Sequence, residues 1–135
     1  VPKVSGSKVV VGAGSRRSAD QSAVAFPHRW TAEGVSVQAD FTGAHLLHLA
    51  AAGCVLNDVY REAAALGIEI TGVQVTADGG FDTATWQSTG ITYTVQVDSP
   101  APAADLAHLL ATVDAVAEIP RAIRTGATVE RTTTD

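Results

Sequence analysis

Residues 44–66, AHLLHLAAAGCVLNDVYREAAAL, contain no proline and a single glycine, Gly53. Leu46, Leu49, Ala50, Leu56, Val59, Ala63 and Leu66 recur at helical spacing, and Gly67 follows as a C-cap residue. As far as Leu56, apolar residues also occupy much of the remaining circumference. A helix that is greasy nearly all round is a buried one, so the rest of the chain, or a second copy of it, has to wrap this segment. His45 and His48 interrupt the apolar run and Asn57-Asp58 end it, which leaves it too short and too polar at its edges to span a bilayer.

The flanking segments supply the wrapping. KVVVGAG, residues 8–14, reads as a strand ending in a glycine turn; SAVAFP, 22–27, alternates weakly and stops at Pro27; GVSVQADF, 34–41, sets Val35, Val37, Ala39 and Phe41 on one face. These are expected to form an antiparallel meander. After the helix, IEITGVQVTADG, 68–79, reads as a strand with a turn at Asp78-Gly79-Gly80, and GITYTVQVDS, 90–99, as another, with a loop or hairpin extension between them. SPAPAADLAHLLATVDAVAEI, 99–119, carries Leu106, Leu109, Leu110, Val113 and Val116 at helical spacing, with prolines at its first turn and Pro120 just past its end. RAIRTGATVERTTT then allows a short helical turn and a last strand or frayed tail. The expected class is α+β, one domain over 1–135, with an antiparallel sheet covering apolar helices.

Composition narrows the partners. Nine basic and fourteen acidic residues leave a net charge of −5, which disfavours nucleic acid and anionic membranes, since both need a concentrated positive surface. A single cysteine cannot close an intrachain disulfide, and VPKVSGSK at the start lacks the apolar core of a secretory signal. A cytoplasmic protein is the expectation.

Cys54 is the residue with the most chemistry to offer, and two readings stand side by side. A lone cysteine among alanines and leucines is ordinarily a small hydrophobe. Reactivity needs the thiolate, hence a cationic neighbour, a hydrogen-bond donor or a helix N-terminus, and Cys54 lies too deep in the helix for the last. Leu47, Ala50, Ala51, Cys54, Asp58 and Arg61 fall on one side of the helix. Asp58, one turn on, would raise the thiol pKa, and Arg61 is placed to pair with Asp58 rather than with sulfur. Activation must therefore come from elsewhere in the fold or from a partner chain.

The other candidates are weaker. His45 and His48 share a face, but Cys54 points roughly opposite His45, so a metal site of the three is disfavoured and the histidines read as a polar edge at the helix start. GAGSRRSADQ, 12–21, has neither GxGxxG nor a Walker lysine, leaving Arg16 and Arg17 as a solvated turn. In FPHRW, 26–30, Arg29 suits an arginine lying over an aromatic face. No GxSxG nucleophile elbow occurs.

The segment GAHLLHLAAAGC with VLNDVYREAAALGIEITGVQVTAD strongly resembles the OsmC/Ohr family, the osmotically inducible and organic hydroperoxide resistance proteins. Leu46, Leu47, Ala50, Gly53 and Cys54 fill the family's central-helix pattern, and ITYTVQV, AADLAHLLATVDAV and Ile119-Pro120 match later parts. The resemblance implies an OsmC-like fold, a tightly intertwined homodimer, and reduction of hydroperoxides by a cysteine thiolate that becomes a sulfenic acid. It further implies an arginine that lowers the thiol pKa, a glutamate that orients the arginine, and a second cysteine that closes a disulfide. Cys54 takes the nucleophile's place. Arg29, in the pair Arg29-Trp30, takes the arginine's, with Arg16 and Arg17 as alternatives. Ala44 and His45 stand near the glutamate's position, where His45 could supply positive charge. Ile119-Pro120 replaces the family's Cys-Pro, so the second thiol is gone. The expectation is a one-cysteine hydroperoxide reductase, without metal or cofactor, that depends on an external thiol. The alternative is a non-catalytic member that binds a small apolar ligand at the dimer interface.

Overall fold

The computed structural model describes residues 6–134. Residues 1–5, on which most of the reading of the chain's start rests, lie outside that range. The elements run β1 (Val9–Gly14), β2 (Val24–Phe26), β3 (Val35–Gln38), α1 (Gly43–Leu66), β4 (Gly72–Phe81), β5 (Ser88–Asp98), α2 (Ala103–Val116) and α3 (Glu118–Thr125). The strands form one antiparallel five-stranded sheet in the order β2-β3-β1-β4-β5. The α+β expectation holds.

The sheet is one-sided because its strands alternate in register. Val11 stands opposite both Val37 and Val75, Val9 opposite Ala77, and Ala13 opposite Val73. All seven are buried against α1, whereas Gln74, Thr76, Thr94 and Gln96 turn outward. Helix α2 lies beside α1 and inserts Leu109 and Val113 into the same core. Both ends of α1 are chemically fixed. Thr42 is the N-cap and its hydroxyl accepts from the His45 amide; Gly67 adopts the left-handed conformation and, with Ile68, returns amide bonds to Ala63 and Ala64.

Several expectations are corrected. The first three strands are not a simple meander: β1 pairs with β3 and β4, not β2, and takes the centre of the sheet. This follows from its composition, since β1 is the most continuously apolar strand and a central strand is the best covered. Asp78-Gly79-Gly80 is not a turn but the end of β4, which stays paired, through a bulge, as far as Phe81 opposite Ser88. Gly79 is needed for close approach, because a Cβ there would stand 2.4 Å from the Gly90 carbonyl oxygen and 2.9 Å from His48 Nε2. The chain reverses at 82–87 instead, where the Asp82 carboxylate accepts from the Ala84 and Thr85 amides. Strand β4 begins at Gly72 rather than Ile68, and β3 ends at Gln38, leaving Phe41 exposed.

The last helical segment is also two helices. Buried Ala117 takes an extended conformation between α2 and α3, and Pro120 lies inside the first turn of α3. A proline there removes no intrahelical bond, since the amides of a first turn have no partner in any case. Among the described residues, 127–134 form no strand.

Candidate functional site

Cys54 sits in the middle of α1, 9% exposed, on the side that faces the start of α3. The break at Ala117 turns α3 back against α1 and aims two groups at the sulfur. The Ile119 amide, one of the unpaired donors of a helix start, donates to Sγ at 3.5 Å. The thiol in turn donates to Glu118 Oε1, also at 3.5 Å. Beneath them is Asp58, whose side chain is 3% exposed and whose Oδ2 lies 3.0 Å from Arg61 Nη2. Arg61 reaches upward as well, with Nη1 3.8 Å from Glu118 Oε1. The Asp58–Arg61 pair is the one the helical spacing predicts.

The electrostatics follow from burial and crowding of negative charge. Burial pushes the Cys54 thiol up from its ordinary value; the Ile119 amide opposes this, while Asp58 and Glu118 add to it. Asp58 is pushed up to about 6, chiefly by burial, with Arg61 pulling the other way and Glu118 reinforcing the rise. Glu118 moves down, held by its own backbone amide and by hydrogen bonds from its neighbours, including the thiol. Of the two carboxyls, buried Asp58 is thus the one that keeps a proton more readily.

The sulfur and one oxygen of each carboxyl lie within 4.8 Å of one another, a spacing that suits metal ligands. Arg61 already neutralises that spot from 3.0 and 3.8 Å, so a cation would have to displace it.

The remaining sequence candidates lie elsewhere in this chain. Arg16 is clamped to Asp98 by two contacts of 3.0 Å at the far end of β5, and Arg17 reaches the Glu33 carbonyl. Arg29 is exposed, its guanidinium 5.8 Å from the Trp30 ring centre. It lines a cavity of about 340 Å³ with Phe26, Trp30, Val37, Leu49 and Asn57. Gly53 also lines that cavity, which therefore opens on the face of α1 beside the one that carries the sulfur. His45 is bonded to its cap residue Thr42, roughly 13 Å along the helix from Cys54 at 1.5 Å per residue. Neither histidine forms the polar edge expected: both are buried, and His48 Nδ1 is bound to the Ser7 carbonyl. Glu118 was not singled out by the sequence. Its signal was the proline two residues later, which marks a helix start, with an acid in its first turn, as readily as a helix end.

A one-sided antiparallel sheet wrapped on a long apolar helix, with the only thiol of the chain at mid-helix under the corner of a C-terminal helix, defines a class of small α+β thiol proteins. Residues 35–132 match the family of OsmC-like proteins. The chain belongs to that family. Among solved structures it is similar to an OsmC-like hydroperoxide resistance protein from Jannaschia sp. CCS1, with 14% identity, 95% of each chain covered and a TM-score of 0.51, a likeness of fold. No curated protein matches the sequence. Among the described residues, no helix is long and apolar enough to cross a membrane.

Proposed function

We propose that this chain is a one-cysteine thiol peroxidase that reduces organic hydroperoxides at Cys54. The observation that carries this reading is the contact between Cys54 Sγ and the Ile119 amide. Position 119 is where the family resemblance places the second, disulfide-forming cysteine, so the two-cysteine corner is retained with one thiol replaced. The similar Jannaschia protein is a hydroperoxide resistance protein, which points to the same substrate class. Sulfur attacks the distal peroxide oxygen, an alcohol leaves, and the resulting sulfenic acid is returned to the thiol by an external thiol through a mixed disulfide.

The active form in this reading is a homodimer in the cytoplasm. Leu46, Ala50 and Gly53 leave one stripe of α1 incompletely covered by the chain's own sheet, and Phe26 and Trp30 stand exposed near it. In such a dimer Arg29, exposed beside Trp30, is free to approach the thiol of the partner subunit. An unpaired thiol fits a reducing compartment.

The test is consumption of cumene hydroperoxide in the presence of a small thiol, with Cys54→Ser as control. Consumption is expected to vanish in the variant, and the intact wild-type mass is expected to rise by one oxygen when the thiol is withheld. Equal consumption by both proteins overturns the reading. The aromatic-walled cavity of about 340 Å³ beside Arg29 favours a second reading, a site for a small apolar ligand. Native mass spectrometry showing an inert Cys54 together with a bound apolar molecule would establish that one instead.

A further inference from the structure

The thiol of Cys54 faces a problem that the reaction makes acute. Its proton must leave as sulfur attacks, and the alkoxide produced must gain one. Burial and two carboxyls oppose a standing thiolate, and no guanidinium of this chain bonds the sulfur among the described residues. We propose that Glu118 is a catalytic residue of this site, accepting the Cys54 proton during attack and returning it to the departing alkoxide. The proposal rests on the peroxidase reading above.

Geometry separates Glu118 from its neighbours. Its Oε1 is the acceptor of the thiol hydrogen bond, so it touches the reacting atom before any substrate arrives. Its side chain is largely exposed and can meet both sulfur and an incoming peroxide, whereas Asp58 lies beneath at 3% exposure with an oxygen bound to Arg61. Arg61 Nη1 at 3.8 Å from the same Oε1 favours the ionised, proton-accepting form of Glu118 and holds it over the sulfur. Asp58 and Arg61 are thus positioning residues. Within this chain, among the described residues, the charged groups that face the thiol are Asp58 and Arg61 from α1, with Glu62 bound behind Arg61, and Glu118 from α3.

The step balances within these groups. The sulfur lone pair forms an S–O bond to the distal peroxide oxygen and the O–O bond breaks. The thiol proton passes to Glu118, and the electron pair of the broken bond leaves on the alkoxide, which takes the proton back from Glu118. Thiol and hydroperoxide become sulfenic acid and alcohol; sulfur is oxidised by two electrons and the peroxide reduced by two. The carboxylate ends as it began.

Glu118→Gln separates a proton acceptor from a group that merely adds negative charge. Removing the charge lowers the Cys54 pKa, so alkylation by iodoacetamide at neutral pH is expected to quicken in the variant. Peroxide reduction by the same protein is expected to fall about 100-fold or more, the lower end of what general acid–base groups contribute. Wild-type reduction should also slow in deuterium oxide and fall on the acid side as Glu118 takes up a proton. Peroxide reduction that is unchanged or faster in the glutamine variant overturns the role for Glu118 and leaves the peroxidase reading standing. Wild-type consumption no greater than that of Cys54→Ser overturns both.

Discussion

Asp58→Asn tests the electrostatics of the site through stability. The carboxyl is buried and sits at about 6 in the folded protein against an ordinary 3.8. That displacement is worth about 3 kcal/mol between the two protonation states. The sign follows from proton binding. Below about pH 4 the group is protonated whether the chain is folded or not, and the folded state carries no penalty. Between about pH 4 and pH 6 the folded state holds the proton while the unfolded state has released it, so stability falls as pH rises. Above that range both states are ionised and the folded one bears the full cost. Asparagine keeps the shape and cannot ionise. The variant should therefore match the wild type near pH 4 and gain on it by about 2–3 kcal/mol near pH 7.5. Urea unfolding at fixed protein concentration measures this. A difference that stays constant with pH, or that swings toward the wild type as pH rises, as an ordinary salt bridge would, refutes the reasoning.

Two other outcomes follow from the site and the surface around it. Ile119→Cys places a second thiol beside Cys54, and oxidation of that variant by one equivalent of peroxide should give an intrachain disulfide, seen as a loss of two hydrogens in the intact mass. Leu46→Asp puts a charge on the partly exposed stripe of α1; light scattering should show a dimer for the wild type and a monomer for the variant.

What could be read in advance depended on how local the cause was. Helix α1 was legible over 44–66, with Gly67 as its C-cap, because the apolar spacing and that glycine lie within or next to the segment itself, whereas its N-cap, Thr42, went unread. The pairing of Asp58 with Arg61 was legible for the same reason, being one turn apart. The order of the strands was not, since nothing in KVVVGAG says that its neighbours are β3 and β4. Gly79 looked like a turn because its actual causes, the Gly90 carbonyl of β5 and the His48 ring, are contributed by other elements. Pro120 carries two meanings, stop or first turn, and only the extended backbone of Ala117 selects the second. The candidate site divided along the same line. Cys54 and Asp58 were visible on one helix, whereas Glu118 meets the sulfur across 64 positions of sequence and only because α3 doubles back. Arg29 could be placed over Trp30 from the pattern, but in this chain it opens onto a different face of α1 from the one that bears the sulfur.

The central place of β1 has a consequence for how the chain is assembled during synthesis. One of its two neighbours, β3, emerges soon after it, but the other, β4, is made only after all of α1. Until then β1 presents an open border, and α1 can lie on only part of the sheet that later covers it. Loop closure across α1 is a long-range event and slow by its nature. The interval before β4 docks is therefore when the nascent chain is most prone to associate with other unfinished copies.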